Sequence, residues 1–397
     1  MRHLVIRNFG PLKEAVIDLE RVNLLIGMQS SGKSCVLRAA CFCTWVEKRI
    51  MLMQSAEYFK KGTRFMDHFV AYYKMESYVK PDTYISYESS YVKFSYDSRR
   101  QDAPFCYEPQ QNSWRYKRPQ VSYIPSDRNV VSLFRDYRQL PNAGTHLQDF
   151  MTEWDRSRRG IGMEQNVLGL GVKYYYDADK GKDIVVLKDG KEIELSETSS
   201  GMQSMMPLFV HLDYLTSAIH SDPFHCVSDL SLEKAEEVKA MLSVIYKRCR
   251  TDRTEGKRRD ASVTINGKNY TYSFESEKAR DKFNGYVMRL LRVDHAEIFL
   301  EEPENNLFPP TQSQMVNWLL DRIGDEQHAD CLFVATHSPY VLNYMLQENL
   351  SAFRLMLTYP CEDGSGLYCV KTATEEELQQ IYDNGSDAFF NFEAFTH

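Results

Sequence analysis

Apolar residues recur along this chain in two periods, and their alternation predicts an α/β protein. Leu4, Ile6 and Phe9 open a strand pattern near the first residue. Val22 to Ile26 is a short continuous apolar run, and Cys35 to Trp45 has the spacing of an amphipathic helix. Residues from about Glu47 to Lys80 also read as helical. From Tyr84 to Tyr96 the pattern changes to strict alternation, with Ile85 and Tyr87 set against Tyr84, Ser86 and Glu88, and Val121 to Ile124 is another strand. A hairpin signal runs from Val172 through Val186 to Lys191, with turns at Asp179 to Gly181 and Asp189 to Gly190.

Met206, Phe209, Leu212 and Leu215 mark a helix, Leu232 to Lys247 a second, and Ala261 to Phe274 a hairpin. Ile298 to Leu300 and Leu332 to Val334 are short buried strands, and Met315, Leu319 and Ile323 lie on a helix beginning near Pro310. The last segments are a short strand, Leu367 to Val370, and an acidic helix start, Glu375 to Leu378. No sustained heptad repeat appears, so a compact molecule without long coiled-coil arms is expected.

At 397 residues and 43% hydrophobic content, a well-buried core is expected. No apolar run approaches bilayer length and no basic leader precedes the first strand, which predicts a soluble, cytoplasmic protein without membrane contact. Nine cysteines are scattered without a C-x-x-C pair, and they read as reduced core residues. A net charge of −7 argues against a uniformly basic nucleic-acid-coating protein but leaves room for one basic face.

The run Gly27 to Ser34, GMQSSGKS, lies between an apolar strand and a helix, the context a phosphate-binding loop requires. Glycines at 27 and 32 let backbone N–H groups curl inward around an anion. Lys33 is the cation for the β and γ phosphates, and the Ser34 hydroxyl is placed for Mg²⁺. The nucleotide-binding set is Gly27, Gln29, Ser30, Ser31, Gly32, Lys33, Ser34 and Cys35.

Three further segments belong with this loop. The strand Ile298 to Leu300 runs into Glu301, Glu302, Pro303 and Glu304. Beside a phosphate loop, Glu301 is assigned to the metal and Glu302 to orienting or deprotonating the attacking water. The strand Leu332 to Val334 ends in THSP, where Ser338 and Pro339 serve as a helix start and His337 is left within reach of a γ-phosphate. Leu195 to Ser204, LSETSSGMQS, is a second small-residue helix start, whose expected use is in trans: Ser199, Ser200, Gly201 and Gln203 of one protomer would close over the nucleotide of another. Taken alone, each of these segments also fits an ordinary capped or acidic helix start.

In this order the motifs resemble the ATP-binding cassette architecture shared by SMC proteins, most closely its OLD-family branch. GMQSSGKS is similar to Walker A, SSGMQS to the signature, EEPENNLFP to Walker B with its following loop, and THSP to the histidine switch; Asn8 and Phe9 stand at the family's asparagine-phenylalanine position. The resemblance implies a single ABC-type ATPase head over residues 1–397, with a mixed sheet and flanking helices, an N-terminal antiparallel β lobe and a helical lobe. Residues 47–120 are then an inserted helical and β segment, and 222–294 a helical insert with a basic stretch and a hairpin. Lys33, Glu302 and His337 become the catalytic set, Ser34 and Glu301 the metal set, and ATP and Mg²⁺ the cofactors.

This sequence departs from the pattern at Glu301, where most such ATPases carry aspartate, at Met202, which replaces the second signature glycine, and at Gln29. Slow or conditional hydrolysis is expected. The glutamine-loop position is left between Gln120 and the pair Asp127 and Arg128. Full-length OLD nucleases continue into a Toprim domain; the residues after His337 contain no acidic triad of that kind, so no nuclease activity is expected of this chain.

Stand-alone cassettes of this branch resemble the ATPase components of anti-phage systems such as PARIS or Septu. That implies a homo-oligomeric ATP switch controlling a separate effector such as a nuclease. Nucleic-acid contact through Arg250, Arg253, Lys257, Arg258 and Arg259 is a further reading, equally compatible with a solvated loop. An ATP-stabilised scaffold with little turnover, a small-molecule phosphotransferase and a DNA-maintenance ATPase are the competing functions.

Overall fold

The computed structural model describes residues 2–112, 115–133, 144–162, 164–221, 235–250, 259–265, 268–324, 328–347 and 353–384. The chain begins with the hairpin β1 (Arg2–Phe9) and β2 (Leu12–Leu19), then β3 (Val22–Gly27) and α1 (Lys33–Met53). Next come α2 (Arg64–Tyr73), the strands β4 (Val79–Glu88), β5 (Val92–Asp97), β6 (Phe105–Pro109) and β7 (Arg118–Ile124), and the helices α3 (Val130–Leu133) and α4 (His146–Gly160). A small sheet of β8 (Gln165–Asn166), β9 (Lys173–Asp177), β10 (Lys182–Val186) and β11 (Glu192–Glu194) leads into α5 (Ser200–Asp213) and α6 (Ile219–Ser221). Then follow α7 (Ala235–Cys249), the hairpin β12 (Arg259–Ile265) and β13 (Lys268–Phe274), and α8 (Glu277–Leu291). The last elements are β14 (Val293–Glu301), α9 (Pro309–Gly324), β15 (Cys331–Ala335), α10 (Pro339–Gln347), β16 (Phe353–Pro360), β17 (Tyr368–Thr372) and α11 (Glu375–Asn384).

Eleven strands form one mixed sheet in the order β6-β5-β4-β1-β2-β17-β16-β3-β15-β14-β7. From β16 to β7 all neighbours are parallel; β1, β2, β4, β5 and β6 form the antiparallel half. The expected α/β class, N-terminal antiparallel lobe and helical lobe are all present, and no long coiled coil occurs among the described residues. One core packs α1, α2, α7 and α8 against one side of the sheet, and a second packs α4, α5, α9 and α10 against the other. Among the described residues no helix is long and apolar enough to cross a membrane.

Helix α1 is not the half-exposed amphipathic helix its first turns predict. It continues unbroken to Met53, and 17 of its 21 residues are buried. The sheet curls around it, so that Arg2 on β1 meets Glu297 on β14, six strands away in the order, at 2.7 Å. A helix wrapped this way needs apolar residues all round, which Cys35, Val36, Phe42, Cys43, Val46 and Ile50 supply.

The tyrosine-rich stretch joins the same sheet. Ile85, Tyr87, Phe94 and Tyr96 point inward, and Phe65, Phe94 and Phe105 pack together with ring centroids 5.3–5.9 Å apart. The expectation of uniformly reduced cysteines fails at one pair: Cys361 and Cys369, brought within 5.5 Å (Cα to Cα) at the turn end of the β16–β17 hairpin, form a disulfide. Six others are free, four of them buried, and Cys226 lies outside the described residues.

Closure of the curl rests on a buried charged cluster. Glu297 bonds Arg2 and lies 3.3 Å from His295 Nε2, while His295 Nδ1 meets Asp294 at 3.2 Å. Burial pushes the Glu297 carboxyl up, but Arg2 and His295 outweigh it and hold it at about 2. Burial likewise opposes charge on His295, yet its two carboxylate partners raise it to about 9. Glu297 therefore contributes stability that is present above its ordinary value of 4.5 and is lost as the pH falls toward 2. The His295 contribution is present below 6.5 and is lost as the pH rises through 9. Glu297→Gln, which takes the carboxylate from Arg2 and leaves His295 with Asp294 alone, should cost about 3–5 kcal/mol in urea unfolding at pH 6. The variant should also show a shallower loss of stability between pH 6.5 and 9 than the parent chain, and an equal slope would show that His295 does not depend on Glu297.

Candidate functional site

Parallel pairing brings the predicted site residues to one sheet edge. Leu25 of β3 stands opposite Ala335 of β15, Ala335 opposite Glu301 of β14, and Gly27 opposite Thr358 of β16. The phosphate loop, the acidic strand end and the THSP segment thus leave the sheet side by side, where ligands bind in open parallel sheets.

The loop between β3 and α1 has the geometry of an anion cradle. Gly27 and Gly32 have φ of +154° and +93°, and a β-carbon on Gly27 would lie 1.8 Å from Thr358 Oγ1. Ser30 also adopts positive φ. Ser31 is fully buried, its hydroxyl bonded to Met28 O at 2.7 Å and to Thr358 Oγ1, while Gln29 and Ser30 are exposed. Lys33 turns back onto the loop, donating to Gly27 O at 2.9 Å and Met28 O at 2.7 Å. Burial lowers its ammonium to about 8 against the opposing pull of Glu302 and Glu304. Cys35 is buried and its thiol is pushed up to about 12 by desolvation, so it packs and does not ionise.

Glu301 is buried, facing α1. Its Oε1 accepts no hydrogen bond, and Arg38 Nη2 lies 3.3 Å from it. Ser34 opens the face of α1 that carries Arg38 one turn later. A buried carboxylate oxygen lacking a donor, with a half-buried hydroxyl at the same helix start, is a donor set that fits a small divalent cation such as Mg²⁺. Arg38 was not anticipated from the sequence. It neutralises Glu301 from the helix side and donates through Nε to Tyr123 Oη at 2.8 Å.

Glu302 lies just beyond the strand with φ of +44°, a strained conformation for a side chain of its size. Its N–H bonds Ala335 O at 2.8 Å, tying the two strand ends together. Burial, then repulsion from Glu304 and Glu301, raises its carboxyl above the usual range, which suits a proton acceptor at neutral pH. His337 Nε2 lies 3.8 Å from Glu302 Oε1, and burial together with Lys33 lowers its basicity, so the imidazole is neutral at pH 7. Glu304, given no role by the sequence, positions His337: its carboxylate accepts from the His337 N–H at 2.7 Å and from Thr336 Oγ1 at 2.8 Å. Ser338 caps α10 as expected, accepting from the Val341 N–H at 3.3 Å.

Of the glutamine-loop alternatives, Arg128 is at the site. Gln120 lies mid-strand opposite Ala296 and bonds Glu153, away from this edge, and Asp127 is exposed. The Arg128 guanidinium is fully buried and donates to the carbonyls of Glu301 at 3.0 Å, Glu302 at 2.8 Å and Pro303 at 3.3 Å, while its Nε reaches Ser204 O at 3.3 Å. It joins the acidic loop to the start of α5. There Ser199 caps the helix, accepting from the Met202 N–H, and Ser199 and Ser200 are exposed. Gly201 packs so closely on the same loop that a β-carbon would lie 2.9 Å from Asn306 O. Gln203 folds back onto the carbonyls of Ser196 and Thr198 and so faces its own loop.

Arg250 and Arg259 are exposed at the end of α7 and the start of β12; Arg253, Lys257 and Arg258 lie outside the described residues.

No known family profile and no curated protein matches the chain. Among solved structures it is similar to the SMC head domain from Thermotoga maritima, at 11% sequence identity over 94% of this chain and 100% of that one, with a TM-score of 0.42. It is also similar to an Smc head domain with an extended coiled coil bound to the C-terminal domain of ScpA, derived from Pyrococcus furiosus, at 9% identity over 97% and 99% of the two chains, with a TM-score of 0.32.

Arg128→Ala should destabilise the chain by about 2–4 kcal/mol in urea unfolding, because several buried carbonyls lose a charged donor. Arg128→Lys should recover less than half of that loss, since an ammonium cannot reach both loops at once. Full recovery by lysine would show that charge alone, and not the forked geometry, is required.

Proposed function

We propose that this chain binds and hydrolyses ATP, and that the closed site is built from two protomers. The observation that carries the reading is the convergence at one sheet edge of the Gly27–Ser34 cradle, the buried acceptor of Glu301, the strained and weakly acidic Glu302, and neutral His337. Backbone N–H groups of the loop and the α1 N-terminus hold the phosphates, and Lys33 exchanges its two carbonyl partners for phosphate oxygens. Glu302 takes a proton from water as that water attacks the γ-phosphorus and the bond to the β-γ bridging oxygen breaks, leaving ADP and phosphate. Neutral His337 beside Glu302 lends a hydrogen-bonding group without adding charge. Bound Mg²⁺, held by Ser34 and Glu301, supplies charge neutralisation of the phosphates.

The trans arrangement draws support from exposure. Ser199 and Ser200 are open to solvent, and Met28, Phe308 and Tyr340 stand 38%, 75% and 44% exposed on the three segments that leave this edge. Apolar groups rimming a polar cleft suit burial against a second copy. Together with the resemblance to stand-alone OLD-family cassettes, this favours a cytoplasmic ATP-dependent oligomerisation switch that controls a separate effector, such as a nuclease, in anti-phage defence. Arg38, paired with Glu301, must be displaced or shared when the cation binds, which fits slow or conditional turnover.

Glu302→Gln should lower hydrolysis at least 100-fold while leaving ATP binding intact, and light scattering should show the ATP-loaded assembly persisting. Ser200→Arg should abolish that assembly without weakening ATP binding to single protomers. Hydrolysis unchanged in the first variant, or assembly unchanged in the second, would overturn the respective assignment. Because Lys33 loses its proton near pH 8 in the free chain, ATP affinity should fall above that pH, approaching tenfold per unit, and this dependence should vanish in Lys33→Ala.

A further inference from the structure

The hairpin of β16 and β17 walls the phosphate loop from two sides. Thr358 of β16 stands level with Gly27 in the parallel register, and its hydroxyl meets the buried Ser31 hydroxyl. From β17, the Tyr368 N–H donates to Pro11 O at 2.9 Å, and the strand pairs with β2 at Leu12. Pro11 and Leu12 in turn abut Gly32: a β-carbon there would lie 2.6 Å from Leu12 Cδ2 and 3.2 Å from Pro11 Cγ. Both glycines of the loop thus pack against this hairpin or against the turn it holds.

The turn end of the hairpin is closed covalently. The disulfide joins Cys361, just past the last ladder pair of Pro360 and Tyr368, to Cys369 on the returning strand. At the same end the Cys361 N–H donates to Leu367 O at 2.8 Å, and Lys13 of β2 bonds Asp363. Residues 362–366 are exposed and Cys369 is partly so, which opens the pair to an incoming thiolate. Other cysteines suit packing instead. Burial pushes the Cys35 and Cys331 thiols up to about 12 and likewise raises those of Cys41 and Cys43, so these four do not exchange as thiolates at neutral pH.

We propose that Cys361 and Cys369 form a reversible redox site, opened and closed by exchange with a small thiol of the glutathione class, and that its state sets the affinity of the phosphate loop. In the cytoplasmic setting proposed above, an accessible disulfide turns over against the thiol pool. Opening starts when a glutathione thiolate attacks Cys369 Sγ; the bond between the two cysteine sulfurs breaks, and Cys361 leaves as a thiolate that takes up a proton. A second glutathione thiolate attacks the glutathione sulfur of the mixed disulfide, releasing Cys369, which is protonated, and oxidised glutathione. Two electrons and two protons pass to the chain, and oxidised glutathione closes the pair by the reverse steps. The closed pair fixes the turn end, and with it Thr358, Pro11 and Leu12 around the loop; the open pair lets that wall relax. The redox site stands without the ATPase reading, whereas its effect on nucleotide rests on it.

The full chain is equilibrated in buffers running from reduced to oxidised glutathione. Alkylation with mass spectrometry reports the state of the pair, and calorimetry reports the affinity for ATP and for inorganic tripolyphosphate. The closed form should bind both about fivefold to tenfold more tightly than the open form, with affinity following the fraction closed. Cys361→Ser and Cys369→Ser should bind like the open parent in every buffer, while Cys106→Ser, which removes a partly exposed free thiol, should behave as the parent. The central comparison is made on the parent chain itself, so it does not depend on how well the serine variants fold. A pair that excess reduced glutathione leaves closed, or equal affinities in the two forms, overturns the proposal and leaves the ATPase reading intact. ATP binding by neither form overturns the ATPase reading and the coupling together, and alkylation then still decides the redox site.

Discussion

The register of three parallel strands is the constraint on which the rest depends. Because Leu25, Ala335 and Glu301 stand level, the three segments that follow them emerge together, and groups more than 300 residues apart in the chain share one edge. A slip of one residue in β14 would turn Glu301 to the opposite core and bring Leu300 or Glu302 to face α1. Apolar residues on both faces of β3, β14 and β15 prevent that slip, since either displacement would bury a carboxylate without partners.

Helix α1 is the second fixed element. It starts in the phosphate loop and runs through the middle of the curled sheet, so its N-terminus cannot move independently of the core. The ion pairs that close the curl, Arg2 with Glu297 and His295 with its two carboxylates, lie at the end of β14 remote from Glu301. One strand thus has a structural charge cluster at its start and the acidic site at its finish. Rigidity in α1 suits a site that must aim many weak donors at one anion.

Polar groups with no part in the proposed chemistry tie the loops together. Arg128 holds the acidic loop and α5 through carbonyl oxygens alone, and Glu304 holds the THSP segment through one N–H and one hydroxyl. A displacement of α5 is therefore transmitted to the Glu302 segment through the Arg128 guanidinium, beside the Ser204 hydroxyl that donates to Asn305 O at 3.0 Å. Arg38 provides a corresponding connection from the Tyr73 and Tyr123 rings to Glu301.

Much of this was legible in the sequence, for definable reasons. The glycine-rich loop, the paired glutamates and the histidine were readable as site candidates because each sits at the end of a short apolar strand, where a polar residue is conspicuous, and the strands and helices followed from periodicity. Arg38, Arg128, Glu304 and Thr358 were not readable as site residues: each acts on a partner distant in sequence, and a lone arginine or threonine on a helix or strand carries no local signal of that partner. The Cys361–Cys369 pairing was hidden because it depends on the β16–β17 register. The full burial of α1 depended on how far the sheet curls. Sequence alone determined which segments could hold phosphate and carry charge, since that is set by residue type and local backbone freedom; only the tertiary structure decided which of them meet, because strand order and curl arise from packing the whole chain around one helix.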